Sequence, residues 1–124
     1  VSEAGPDRFL PGRHVIDAYG NGGFRFAEMS HRGSILCLPS GVRAWSGVLD
    51  LDSLAPVVAE AGTDLAVLLV GTGRTIAPIA TDIRMALRAA GISVDPMDTG
   101  SAARTWNILV GERRPVAAAL IAVD

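Results

Sequence analysis

The chain has 124 residues, enough for one domain that buries roughly two-thirds of its unfolded surface. Apolar residues make up 49% of it and mean hydropathy is +0.35, which excludes a disordered chain. With 11 basic and 13 acidic side chains the formal charge is −2, so the basic excess that duplex nucleic acid requires is missing and no nucleic-acid partner is expected.

In chain order, residues 1–13 hold Gly5, Pro6, Pro11 and Gly12 among charges and read as a flexible lead-in anchored by Phe9 and Leu10. Residues 14–124 read as a single α/β domain. Residues 15–19 suit a short strand, and Gly20, Asn21, Gly22 and Gly23 a turn. Phe24 and Phe26 alternate with Arg25, which predicts a half-buried strand over 24–29. His31, Arg32 and Gly33 then turn the chain into a strand over 34–38 that Pro39 ends, and residues 42–45 add another. The first fifty residues are thus expected to form a section of β-hairpins.

A first helix is predicted over 53–61, with Asp52 or Ser53 as its cap, Pro56 in its opening turn and Gly62 at its exit. Residues 65–70 lack alternation, as a strand buried on both faces does. A second helix over 78–90 presents Ile79, Ile83, Ala86, Leu87 and Ala90 as one apolar stripe, and Gly91 stops it. Residues 92–94 must then pair with 65–70, giving a parallel, right-handed βαβ unit. Asp98 or Thr99 caps a third helix over 102–110 that Gly111 ends. The apolar run 116–123 is expected as a closing strand at the centre of the sheet.

Cys37 is the only cysteine, which excludes an intrachain disulfide and a thiolate metal cluster and fits a reducing compartment. The first residues lack the apolar core of a signal peptide. The longest apolar runs, six and eight residues, fall short of the roughly 20 that a membrane-spanning helix needs. A cytoplasmic chain that does not span the membrane is the expectation. All 11 basic side chains are arginines; coding bias accounts for that at scattered positions, and a preference for planar contacts to anions is the sharper reading.

Chemistry concentrates at two places. Val70-Gly71-Thr72-Gly73-Arg74 follows a buried strand, and Asp95 closes the next one, which superficially matches a dinucleotide fingerprint. The third glycine of that fingerprint falls on Ile76, and only one βαβ unit follows, so no nicotinamide or flavin cofactor is expected. Two readings of the glycines stay open: amides of Gly71, Thr72 and Gly73 cradling a small anion, or a chain that turns sharply off the sheet. The second place is Asp98, Thr99, Arg104, Thr105, Asn107, Glu112 and Arg114. Asp98 and Thr99 should lie beside Gly71 and Gly73 at the carboxyl ends of the parallel strands, where ligands bind in open α/β sheets. A polar pocket and a network of caps and ion pairs are the competing accounts.

Trp106 is expected in the core with Ile108 or Leu109, and Trp45 on a partner surface. Nothing points to catalysis. None of Ser34, Ser40 and Ser46 has the glycine flanks of a nucleophile elbow, and His14 and His31 are not spaced as metal ligands. Cys37 reads as a small buried hydrophobe.

Taken together, Gly22-Gly23-Phe24, Gly33-Ser34, Trp45, Val70-Gly71-Thr72-Gly73, Gly91-Ile92-Ser93-Val94 and Met97-Asp98-Thr99 form an ordered series. It continues through Ala103-Arg104-Thr105-Trp106-Asn107, Glu112-Arg113-Arg114 and Ala118-Ala119-Leu120-Ile121. In this series the chain resembles a small α/β family of bacterial and archaeal proteins of unknown function whose mitochondrial member is respiratory complex I assembly factor 3. The resemblance implies a three-layer α/β fold with a central mixed sheet and a β-hairpin extension. It also implies a non-catalytic domain with protein partners, among them respiratory or membrane-complex subunits. A homodimer through a sheet edge or helix face is a further expectation. The alternative is a small anionic-ligand binder or enzyme using Gly71, Gly73, Thr99 and Arg104.

Overall fold

A computed structural model describes residues 9–124. Phe9–Pro11 forms β1, Ala18–Gly20 β2, Gly23–Phe26 β3, Met29–Arg32 β4, Ser34–Cys37 β5 and Gly41–Trp45 β6. Helix α1 spans Ala55–Ala59, β7 Val67–Gly71, α2 Thr81–Ala89, β8 Ser93–Met97, α3 Thr99–Gly111 and β9 Val116–Leu120. Six strands build the main sheet in the order β1-β6-β5-β9-β7-β8, and β2-β3-β4 build a separate antiparallel sheet.

Strand β7 runs parallel to both β8 and β9, with Leu68 opposite Val94 on one side and Ala117 on the other. The expected βαβ unit is therefore present. Strand β9 sits between β7 and antiparallel β5, the central place that its unbroken apolar run demands. Successive side chains of a strand point to opposite faces, and this divides the core in two. Leu36, Leu68 and Val70 face Val57 of α1 and Ile83 and Leu87 of α2. Ile35, Cys37 and Leu69 face Ala102 and Trp106 of α3 and Phe24 and Phe26 of the small sheet. The result is a mixed sheet between two covering layers, in one α/β domain.

Several boundaries differ from the sequence reading. The strand expected over 24–29 is broken, because Ala27 and Glu28 both take positive φ (50° and 62°) and Phe26 pairs with Met29. Two successive left-handed residues match the twist of a tight hairpin, yet neither is the Asn or Gly that normally signals one. His31, read as part of a turn, consequently lies in β4 and is only 9% exposed.

The first helix shrinks to α1, which no side chain caps; the Ser53 N–H donates to Asp50 Oδ1 at 2.7 Å instead. Helix α2 begins beyond Pro78, since Ala80 is still extended at ψ 141°. The closing strand ends at Leu120; beyond it the Ile121 N–H donates to Gly71 O at 3.0 Å and the Ala122 N–H to Ser34 Oγ at 2.9 Å. Of the expected lead-in over 1–13, residues 1–8 lie outside the described residues. Phe9, Leu10 and Pro11 pair with β6, where the Arg43 guanidinium stands 5.5 Å from the centre of the Phe9 ring.

Candidate functional site at the strand ends

The carboxyl ends of β7 and β8 lie side by side, and α3 starts directly after β8. Asp98 is its N-cap: Oδ2 accepts from the Ser101 N–H at 3.0 Å and Oδ1 from the Ser101 hydroxyl at 2.7 Å. Those bonds, with the Arg104 charge nearby, hold the Asp98 carboxyl below the usual carboxylate range.

Thr99 is fully buried and ties three segments together. Its N–H donates to Gly73 O at 2.8 Å, its Oγ1 accepts from the Gly73 N–H at 3.0 Å, and its hydroxyl donates to Ile121 O at 2.8 Å. The Thr72 N–H donates to Met97 O at 2.8 Å, and Thr72 Oγ1 accepts from the Ala77 N–H at 2.9 Å. A side chain at position 71 would meet Thr99 Cα at 2.9 Å, so Gly71 is what lets strand and helix come this close. Gly73 turns the chain at φ +115°. The placement of Asp98 and Thr99 beside the glycines is as the βαβ geometry required. However, the amides of Thr72 and Gly73 already donate to protein oxygens, and Thr99 fills the cradle that an anion would occupy.

The rest of the expected cluster disperses along α3. Arg104 is exposed, with Nη1 3.5 Å from Tyr19 Oη and Nη2 3.4 Å from Ser101 Oγ. Thr105 is half-buried. Asn107 clamps the backbone of Ile16: Oδ1 accepts from its N–H at 2.7 Å and Nδ2 donates to its carbonyl at 2.9 Å. Trp106 is fully buried and its Nε1 donates to His14 O at 2.8 Å. Thus Trp106 and Asn107 hold the incoming segment 14–16 against α3, which is why β2 starts only at Ala18. Sequence reasoning missed this role, because the partners are backbone atoms some ninety positions away. Leu109 packs against the same core as expected, whereas Ile108 is 60% exposed, as a helical position two beyond an inward Trp must be.

Glu112 and Arg114 do not join the group. They sit past the far end of a 13-residue helix, roughly 20 Å from its start, and form an exposed pair at 3.9 Å. Trp45 is not a surface residue: it is 8% exposed and packs with Leu36, Leu38, Leu54 and Val57 on the α1 face of the sheet. Its Nε1 and Arg43 Nε are buried and have no hydrogen-bond partner among the described residues. Cys37 is buried, and the loss of solvent pushes its thiol far above its ordinary value. His14 Nε2 lies 2.9 Å from Pro11 O. Among the described residues no three His, Cys, Asp or Glu side chains gather as a metal site.

A mixed sheet with helices on both faces, and a three-stranded sheet laid beside α3, defines the class of domain. The chain belongs to the family of proteins of unknown function DUF498/DUF598, which matches residues 16–121. An uncharacterised protein of Rhodobacter capsulatus is 42% identical over 106 residues, covering 86% of this chain and 82% of that protein. NADH dehydrogenase [ubiquinone] 1 alpha subcomplex assembly factor 3 of Xenopus tropicalis is 31% identical over 110 residues; the match covers 86% of this chain and 60% of that factor. Among solved structures, a Bartonella henselae protein described as an outer membrane protein superposes with a TM-score of 0.89 at 48% identity. That match covers 94% of this chain and all of the other. The family resemblance read from the ordered series is therefore correct, and so is the fold that it implied. Among the described residues no helix is long and apolar enough to cross a membrane.

Proposed function

We propose that the chain is a non-catalytic, protein-binding domain that assists assembly of a larger complex, with respiratory or membrane-complex subunits as its partners. The observation that carries this reading is the 31% identity to complex I assembly factor 3 over 110 residues, nearly the whole of the folded domain. The strand-end geometry agrees with it, since the polar side chains gathered there are engaged in holding α3, the glycine loop and segment 14–16 in place. Surfaces outside that junction then do the work. They include the outer edges of β1 and β8, each paired on one side only among the described residues.

The same reading puts the chain in the cytoplasm, at the face of the membrane where such subunits are inserted, and allows self-association through one of the two edges. Affinity capture of the tagged chain from its native cell should recover respiratory-complex subunits at substoichiometric levels. Repeated recovery of the chain alone would contradict it. Fractionation that places the chain in the outer membrane would contradict the compartment, and sedimentation at micromolar concentration decides between monomer and dimer.

A further inference from the structure

The outer face of the small sheet carries a concavity of about 400 Å³, within the range of small-molecule pockets. Its register follows from the tight turn at Ala27 and Glu28. Arg25 lies opposite Ser30 on β4 and Ala18 on β2, while Gly23 lies opposite Arg32 and Gly20. Alternation sends Arg25, Ser30 and Arg32 to one face, away from Phe24 and Phe26, which are each 3% exposed in the core. Arg25 and Arg32 are diagonal neighbours, with Cα atoms roughly 7–8 Å apart. Small residues, Ala18, Gly20 and Gly23, leave room between and beside them.

Both arginines are exposed, and Arg25 Nη1 donates to Ser30 Oγ at 3.0 Å. Among the described residues neither guanidinium forms an ion pair, and no carboxylate lines the concavity. In a chain whose net charge is −2, the only Arg, Lys, Asp or Glu side chains lining this hollow among the described residues are these two arginines. Guanidinium forks match the planar, two-oxygen geometry of carboxylate and phosphate groups. We propose that the outer face of β2, β3 and β4 binds a small molecule bearing a carboxylate or phosphate group, held between Arg25 and Arg32 with Ser30 as a further polar contact. The volume and the confinement to three short strands favour a small molecule over an extended acidic segment. The site lies apart from the strand-end junction and does not depend on the assembly reading.

Titration of the isotope-labelled intact chain, followed through its backbone amide resonances at constant ionic strength, tests the site. Inorganic phosphate and citrate are the probes and sodium chloride is the control. Saturable shifts confined to residues 18–25 and 30–32 are expected with one or both anions, and the tighter of the two names the ligand class. Arg25→Gln and Arg32→Gln should each weaken binding about tenfold, and Arg25→Lys should weaken it less than Arg25→Gln. Unchanged resonances elsewhere verify that each variant is folded. The proposal fails if the shifts do not saturate, if chloride reproduces them, or if the double Arg25→Gln, Arg32→Gln variant still binds. Tighter binding of a hexaglutamate peptide than of either small anion would overturn it in favour of a protein-docking face.

Discussion

Two polar regions of the molecule behave in opposite ways. At the ends of β7 and β8, Thr99 is fully buried and its N–H and hydroxyl are bonded to Gly73 and Ile121, so the region is a joint. On the outer face of β2, β3 and β4, Arg25 and Arg32 are exposed, and among the described residues neither pairs with a carboxylate. A concentration of polar residues in the sequence thus marks the place where the fold needs polar atoms. The face left open for a ligand is made of residues that look ordinary one by one. Burial decides which is which: a buried hydroxyl must find partners, and an exposed guanidinium need not.

The contrast can be broken at its heaviest point first. Trp106→Ala removes a fully buried indole and its bond to His14 O, so it should destabilise the chain by about 3–5 kcal/mol in chemical denaturation. Next, Thr99→Val keeps the shape but leaves the Gly73 N–H and the Ile121 carbonyl without their partner, at a cost of about 1–3 kcal/mol. At the other region, Arg25→Gln or Arg32→Gln should change stability by no more than about 0.5 kcal/mol, because each side chain is exposed and, among the described residues, pairs with no acid. A large loss there would erase the distinction between joint and open face.

A pH series sharpens the same comparison. The folded-state value of Asp98 is depressed by its bonds to Ser101 and by Arg104, so the ionised carboxylate favours the folded state. That contribution is fully present above the unfolded carboxylate value of about 3.9 and is lost as pH falls through the lower folded value. Asn keeps an acceptor oxygen but not the charge. The melting temperature of Asp98→Asn should therefore lie below that of the wild type at neutral pH and converge with it on acidification. A constant gap at all pH values would mean that the charge contributes nothing.

Much of the fold could be read in advance because local pattern and burial agreed. The unbroken runs at 65–70 and 116–123 marked β7 and the central β9, and the stripe from Ile79 to Leu87 marked α2. The proximity of Thr99 to the glycines followed from the parallel βαβ unit alone. What could not be read depended on contacts between distant segments or on unusual backbone. The turn at Ala27 and Glu28 places two ordinary residues at positive φ, and without it the register that brings Arg25 and Arg32 to one face cannot be inferred. Trp45 at the end of a short strand gives no local sign that α1 will cover it. Asn107 looked like a pocket residue because its two bonds go to a backbone, which the identity of Ile16 does not announce.

Amide hydrogen exchange at Gly73 tests most directly whether the glycine loop is a closed joint. The Gly73 N–H, bonded to Thr99 Oγ1 at 3.0 Å, should exchange slowly in the wild type and markedly faster in Thr99→Val, with the exchange of β5 and β6 amides far less affected. Exchange of Gly73 at the rate of an unstructured amide in the wild type would contradict the account, since the cradle would then stand open to an anion.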